Sequence, residues 1–313
     1  MTLAFEGVLF FPVTPFDDSG RIDEAVLESH IRSGVDNGAG GVFVACGTGE
    51  FHALDPREVL QAARVAVRAT EGRAPVLMGV GGPVATASAL AREAQDVGVD
   101  GLLLLPPYLV AGPGDGLAAW VEAILAAGDL PVVLYNRGSA VYPPAIVRRL
   151  AANPRVIGFK DGVGDLAAVQ RIVSEVTAIR TRFLFFNGLL TAELSQGAYR
   201  GVGVPLYSSA AFAMAPGVAT AFHRAYLAHD EAARLDILNR FYVPLVALRD
   251  ETPGFGVSLI KAGLRLRGVP VGPVRPPLTD PNPDQLERLA SILDVGDELA
   301  REHALRTTAG AFG

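Results

Sequence analysis

Lysine is almost absent from this chain of 313 residues: only two of its 27 basic residues, Lys160 and Lys261, are lysine, and the rest are arginine. Arginine stays protonated and cannot act as an amine nucleophile, so a lysine here points to chemistry rather than to charge alone. Cysteine is scarcer still. The single Cys46 excludes a disulfide framework and any CxxC metal site within the chain. The five histidines (His30, His52, His223, His229 and His303) are scattered, with no HExxH or paired spacing, and read mostly as solvated or structural. His52, beside a candidate active loop, stays open. There is no block of basic residues, and the net charge of −6 argues against nucleic acid or acidic membranes as partners.

Cofactor motifs are missing too. No GxGxxG follows the first strand, "GVGGPV" (79–84) fails because Val84 stands in the final glycine's place, and no GxxxxGK[ST] occurs. The start, "MTLAFEGVLFFPVTPF", lacks a basic segment and carries Glu6, so it reads as a first strand rather than a signal peptide. The run 201–222 is uncharged, but Pro205, Ser208, Ser209 and Pro216 break it into a strand, a loop and a helix start instead of a membrane span. A cytoplasmic location is expected.

What the chain does have is hydrophobic mass: half of its residues are hydrophobic and only 19% are charged. A chain of this length buries roughly three quarters of its unfolded surface. Short apolar runs at 7–13, 41–45, 75–80, 101–106, 131–136, 155–160, 182–188 and 203–208 read as strands. Helical periodicity fills the gaps, for example at 23–37, 55–70, 86–97 and 165–179. Continuously apolar strands with crossover helices are the pattern of a parallel sheet covered on both faces, and eight such units fit a closed (β/α)₈ TIM barrel. After residue 228 the strands stop, and helical segments follow at about 231–249, 254–267 and 283–296. The expected organisation is a catalytic barrel over 1–228 and a C-terminal helical extension over 229–313, packed on the barrel without a core of its own.

In such a barrel the active site forms at the C-terminal ends of the strands. Lys160 ends the sixth strand ("RVIGFK") and Tyr135 the fifth ("VVLYN"). Gly47, Thr48, Gly49 and Glu50 follow the second, Asn187 and Gly188 end the seventh, and Ser208 and Ser209 end the eighth. Taken alone, each would be an ordinary solvated strand end; their convergence on one rim favours a site. A lysine on an apolar wall can be neutral often enough to attack a ketone and form a Schiff base. A tyrosine one strand away can move the proton that the iminium makes acidic. A glycine-bracketed turn such as "CGTGEF" offers backbone N–H groups to a carboxylate.

The motifs "FPVTPFD", "GTGEF", "LLLPPYL", "LYNR", "GFKDGVGD", "YSSA" and "KAGLRLRGVPVGPVRPPL" resemble, in order and over nearly the whole chain, the dihydrodipicolinate synthase and N-acetylneuraminate lyase superfamily. Within it they look like the 5-dehydro-4-deoxyglucarate dehydratase branch. The resemblance implies that Lys160 is the Schiff-base lysine, that Tyr135 is the acid/base residue, and that the turn Gly47–Thr48–Gly49 holds the carboxylate beside the ketone. Three departures count against a synthase. Gly47 replaces a hydroxyl residue, Leu109 replaces a second relay tyrosine, and Ala140 stands where synthases carry an arginine. The implied reaction is loss of water and then carbon dioxide from 5-dehydro-4-deoxy-D-glucarate, giving 2,5-dioxopentanoate with no metal or organic cofactor.

The remaining roles stay open at this stage. Arg137 is a candidate for the distal carboxylate or an exposed structural arginine. Ser208 and Ser209 are candidates for hydroxyls or that carboxylate, or simple turn formers. Asp161 reads as a loop-orienting residue or a helix cap, Glu50 as closing its own turn on backbone amides, and Lys261 as a solvated surface or interface residue. A pyruvate-dependent aldolase and a non-catalytic sugar-acid binding barrel are the rival readings, and relatives suggest a homo-oligomer, a dimer or tetramer.

Overall fold

The computed structural model describes residues 3–310, so residues 1, 2 and 311–313, the outer ends of the two expected units, lie outside the described residues. The strands are β1 (Val8–Phe10), β2 (Ala39–Val44), β3 (Val76–Val80), β4 (Gly101–Leu104), β5 (Val132–Asn136), β6 (Val156–Asp161), β7 (Leu184–Asn187) and β8 (Leu206–Ser209). Each pairs in parallel with the next, and β8 pairs with β1, which closes the barrel in chain order. The first strand is shorter than the apolar run 7–13 because Pro12 has no N–H to give a ladder.

Helices alternate with the strands: α1 (Glu24–Asp36), α2 (Pro56–Thr70), α3 (Val84–Val97), α4 (Gly114–Ala127), α5 (Pro144–Ala151), α6 (Leu166–Thr177), α7 (Gln196–Gly201) and α8 (Pro216–Ala228). Their starts are written in the sequence. The Asp23, Asp55 and Asp165 side chains accept hydrogen bonds from first-turn amides, and Asp55 forms a reciprocal capping box with Glu58. The sheet separates two apolar layers. Leu9, Phe43, Leu77, Leu103, Val133 and Phe186 point inward and fill the barrel, while Val42, Val44, Leu102, Leu134 and Phe159 point outward against the helices.

Beyond the barrel, α9 (Glu231–Ile237) runs through one π-helical turn into α10 (Val243–Arg249), followed by α11 (Phe255–Leu266) and α12 (Pro283–Gly310). Helix α12 packs against α8, α10 and α11. It is longer than the expected 283–296 because its apolar face continues, with Leu299 fully buried. No described helix is long and apolar enough to cross a membrane.

The segment joining α11 to α12 returns to the barrel, where Val271 accepts a hydrogen bond from the Phe16 amide at 3.1 Å. At Gly272, φ is +70° and a Cβ would lie 2.1 Å from the Phe16 carbonyl oxygen. Gly272→Ala is therefore expected to destabilise the fold by about 2 kcal/mol or more. Urea unfolding checks this, and an unchanged midpoint would refute the close approach.

Candidate functional site

The strand ends surround a cavity of about 930 Å³ whose wall includes Lys160, Tyr135, Arg137, Thr48, Gly188 and Ser208. Which residues reach it is decided by side-chain alternation, since neighbouring positions on a strand face opposite sides of the sheet. Along β5, Val133, Tyr135 and the following Arg137 face inward while Asn136 faces away. Strand β6 needs an irregularity to match. Val132 pairs with Val156, but Val133 pairs with Gly158, so Ile157 is an extra residue. That bulge resets the alternation. Lys160 consequently pairs with Tyr135 and shares its inner face, and Asp161 pairs with Asn136 behind them.

Lys160 is only 5% exposed, and its Nζ lies 4.2 Å from the Tyr135 ring centre and 4.4 Å from that of Phe11. Gly188 makes room for it, because a Cβ there would meet Lys160 Cγ and Cε at 2.7 Å. Burial lowers the Lys160 pKa from its ordinary value, opposed in part by Tyr135 and Cys46 and helped by Arg137. Cys46 is itself pushed up to about 12 by burial, so it stays a neutral thiol. Among the described residues no carboxylate forms an ion pair with Lys160. A lowered pKa makes the neutral, nucleophilic form of this amine easier to reach.

The Tyr135 hydroxyl donates to the Gly188 carbonyl at 3.0 Å and accepts from Arg137 Nη1 at 2.8 Å. Burial alone would raise its pKa, but the Lys160 and Arg137 charges and the hydrogen bonds from both bring it below the ordinary phenol value. Behind this pair, Asp161 accepts from Asn136 Nδ2 at 2.6 Å, from the Gly164 amide at 3.0 Å and from the Tyr199 hydroxyl. It thus ties β5, β6 and the loop after β6 together, the loop-orienting alternative left open by the sequence.

Five expectations are corrected, the last of them Gly49, below. Asn187 is fully buried and faces away from the cavity, donating to Ala192 O, Ser195 Oγ and Gln196 Oε1 and so holding the loop after β7. Ser209 also faces away, donating to Glu193 at 2.5 Å. In both cases the neighbouring residue, Gly188 or Ser208, lines the cavity instead. Glu50 bonds no amide of its own turn; it accepts from the Arg275 amide at 2.8 Å and forms an ion pair with Lys261 Nζ at 2.6 Å. Lys261 is then no surface residue: both members of that pair are fully buried. Its pKa is lowered by burial to about 8, with Glu50 opposing the fall.

Around that pair, Phe16 lies between Lys261, 4.1 Å from its ring centre, and Arg275, at 4.0 Å. Arg275 also grips both oxygens of Glu58 at 2.8 and 2.6 Å. This strap fixes the turn that carries Gly47 and Thr48, while Thr14 Oγ1 donates to the Gly49 carbonyl at 2.7 Å. Gly49 itself supports the turn and does not line the cavity.

His52 stands exposed at the cavity mouth, as does Leu109. One cavity cation escaped the sequence reading. Arg249 ends α10 and reaches the wall, with Nη1 donating to Thr191 Oγ1 at 2.7 Å and a second contact to Asp250 at 2.8 Å. It follows a helix rather than a strand, so no strand-end signal marks it.

A closed parallel (β/α)₈ barrel with a buried amine and a phenol side by side at the C-terminal ends of strands 5 and 6 defines a class of barrel built for carbonyl chemistry at that rim. The sequence profile of the dihydrodipicolinate synthetase family matches residues 4–295, and the chain belongs to that family. It is 50% identical over 300 residues to a probable 5-dehydro-4-deoxyglucarate dehydratase of Streptomyces griseus subsp. griseus, covering 95% of this chain and 94% of the relative. It is 49% identical over 297 residues to a protein of the same designation, numbered 1, from Streptomyces avermitilis, covering 95% of each. The crystal structure of dihydrodipicolinate synthase from Oceanobacillus iheyensis superposes with a TM-score of 0.86 at 24% identity, covering 94% of this chain and 97% of that one, a likeness that speaks for the fold.

Two expected outcomes follow from the buried charges. Lys261→Met strands the Glu50 carboxylate in the interior and should cost about 3–5 kcal/mol in urea unfolding; a loss below about 1 kcal/mol would mean that the pair is not buried in solution. Glu193, under Ser209 and beside Tyr207 and Tyr242, is raised by burial from 4.5 to about 7. The folded state therefore binds this proton more tightly, and stability falls as pH rises from 4.5 towards 7. Glu193→Gln should lack that part of the fall, so its stability relative to the parent should climb across the window, and a pH-independent difference would contradict the assignment.

Proposed function

We propose that the chain is a Schiff-base hydro-lyase that converts 5-dehydro-4-deoxy-D-glucarate into 2,5-dioxopentanoate, carbon dioxide and water. The observation that carries this reading is the buried Lys160 amine, without a carboxylate partner among the described residues, against the Tyr135 phenol in a cavity that also bears two guanidinium groups. The designation of the Streptomyces relatives at about half identity supports the substrate.

In this mechanism Lys160 attacks the ketone and water leaves to give an iminium. The iminium acidifies the neighbouring methylene, whose proton passes to Tyr135. The enamine expels the next hydroxyl as water, leaving an unsaturated iminium. That conjugated system accepts the electron pair of the bond to the distal carboxylate, which leaves as carbon dioxide. Protonation and hydrolysis release the product and the amine. The lysine supplies the electron sink, so the chemistry needs no metal or organic cofactor.

The amides of Gly47 and Thr48 are assigned to the carboxylate beside the ketone, with Gly49 shaping their turn, Ser208 and Gly188 to the substrate's hydroxyl-bearing stretch, and Arg137 or Arg249 to the distal carboxylate. The proposed division remains a catalytic barrel over 1–228 with an extension over 229–313, the latter lending Arg249 to the cavity. We take the enzyme to work in the cytoplasm as a homo-oligomer, a dimer or tetramer.

The test is carbon dioxide release by the purified protein without added cofactor, together with borohydride trapping and mass measurement. One carbon dioxide per substrate and a trapped adduct that Lys160→Ala abolishes are expected. Because the neutral amine is the nucleophile, the trapping rate should rise with pH until it passes the lowered Lys160 pKa. Pyruvate in place of carbon dioxide would make the chain an aldolase, and no adduct with any keto acid would leave a binding barrel.

A further inference from the structure

The proposed reaction makes Tyr135 lose and regain a proton twice, and among the described residues no hydroxyl, carboxylate or imidazole hydrogen-bonds to the phenol to relay it. The hydroxyl donates to the Gly188 main-chain carbonyl, which accepts a hydrogen bond but not a proton. Gly47 carries no hydroxyl, and Leu109 carries none either. Besides Lys160, the side-chain partner of the phenol is Arg137, whose Nη1 lies 2.8 Å from the phenol oxygen. Among the described residues Arg137 has no carboxylate partner, so its charge is not spent elsewhere.

The sequence builds this contact with little freedom. Tyr135 and Arg137 are two positions apart on one extended segment, which puts both on the same face. A tight reverse turn then fixes Arg137: its amide donates to Ala140 O at 3.0 Å, the Ala140 amide donates back at 3.0 Å, and Gly138 between them takes φ +57°. The Asn136 side chain accepts from the Tyr142 amide at 2.9 Å and locks the same turn from behind.

We propose that Arg137 is a positioning residue for proton transfer: by donating to the Tyr135 oxygen it stabilises the phenolate at each point in the cycle where the proton is away. The inference rests on the Schiff-base reading above. In the first exchange the Tyr135 O–H bond breaks and its proton leaves with the carbinolamine hydroxyl as water, giving iminium and phenolate. The phenolate then takes the methylene proton, and the C–H electron pair forms the enamine. Next the phenol returns that proton to the departing hydroxyl, whose C–O pair leaves with the second water, and the phenolate reappears until the water that hydrolyses the product iminium gives it back a proton. During both phenolate intervals the Lys160 nitrogen is committed to the iminium and keeps a single N–H, while Arg137 retains its own hydrogen bond to that oxygen. The far carboxylate is then left to Arg249, which also lines the cavity.

The experiment is a pH series of kcat and KM for the full-length protein and its Arg137→Gln and Arg137→Lys variants, with borohydride trapping on the same samples. Arg137→Gln is expected to lower kcat by about 10²-fold with KM within about threefold, the size of a general acid–base effect. The limb of the kcat–pH profile that reports Tyr135 should move up by about one pH unit or more, and Arg137→Lys should recover part of both changes. A tyrosinate absorbance titration, with a Tyr135→Phe variant subtracted, should show the same upward shift without any turnover. A raised KM with kcat retained would make Arg137 a carboxylate anchor and overturn the proposal. So would a loss of kcat at every pH with neither the profile nor the titration displaced. A failed trap in the parent protein would instead count against the Schiff-base reading, while the absorbance titration would still decide whether Arg137 acts on the phenol.

Discussion

Alternation of side chains in a closed parallel barrel is the constraint on which this structure depends. Closure puts eight strand ends on one rim, and pleating sends each successive residue to the cavity or to the layer behind it. The rim motifs are therefore read in pairs. Tyr135 and Asn136, Lys160 and Asp161, and Ser208 and Ser209 each place one member in the cavity and its neighbour in the supporting layer, and Asn187 lies in that layer while the next residue, Gly188, lines the cavity. The inward members carry the chemistry proposed here. The outward ones tie loops and neighbouring strands, as when Asp161 gathers Asn136, Gly164 and Tyr199.

The supporting layer is polar and buried, a combination that is stable only when its groups are bonded to one another. Asn187 satisfies three acceptors in the loop after β7, and Ser209 couples β8 to Glu193. On the opposite arc, the strap between α11 and α12 supplies Arg275 and, with Lys261, closes over the turn at Glu50. Helices from the end of the chain thereby set the position of a turn near its start. This is why the extension forms part of the rim's framework, although the strands end before it begins.

Much of this was legible beforehand, and what was not has a physical reason. Eight apolar runs with helical spacers declare a parallel barrel because both faces of such strands are covered, and that periodicity survives in composition alone. Lys160 and Tyr135 stood out as polar residues at the ends of apolar strands. The facing of individual rim residues was not legible, because it depends on strand parity. Counting outward from Val156 by strict alternation would send Lys160 to the helix side; the extra residue at Ile157 turns it inward, and no residue type there announces a bulge. Arg249 and the partnership of Glu50 with Lys261 join positions far apart in sequence, and periodicity carries no information on such contacts.

The two lysines of this arginine-rich chain show what distinguishes a reactive amine from a structural one. Both are buried, both lie against aromatic rings, and burial lowers the pKa of each. Lys261 faces a carboxylate at 2.6 Å and donates to the Pro273 carbonyl at 2.9 Å, so its charge has a fixed counter-charge and its hydrogens have a fixed use. Lys160 faces a phenol and a thiol, acids that are ordinarily neutral, and among the charges that act on it is another cation, Arg137. An ammonium in the first setting is locked in place; in the second, burial shifts the balance towards the neutral amine. Arginine could fill the first role with a larger head group, but it cannot lose its proton to fill the second. The difference therefore lies in the counter-ion rather than in burial, and it is the placement of Glu50 behind one lysine and of an open cavity before the other that separates their roles.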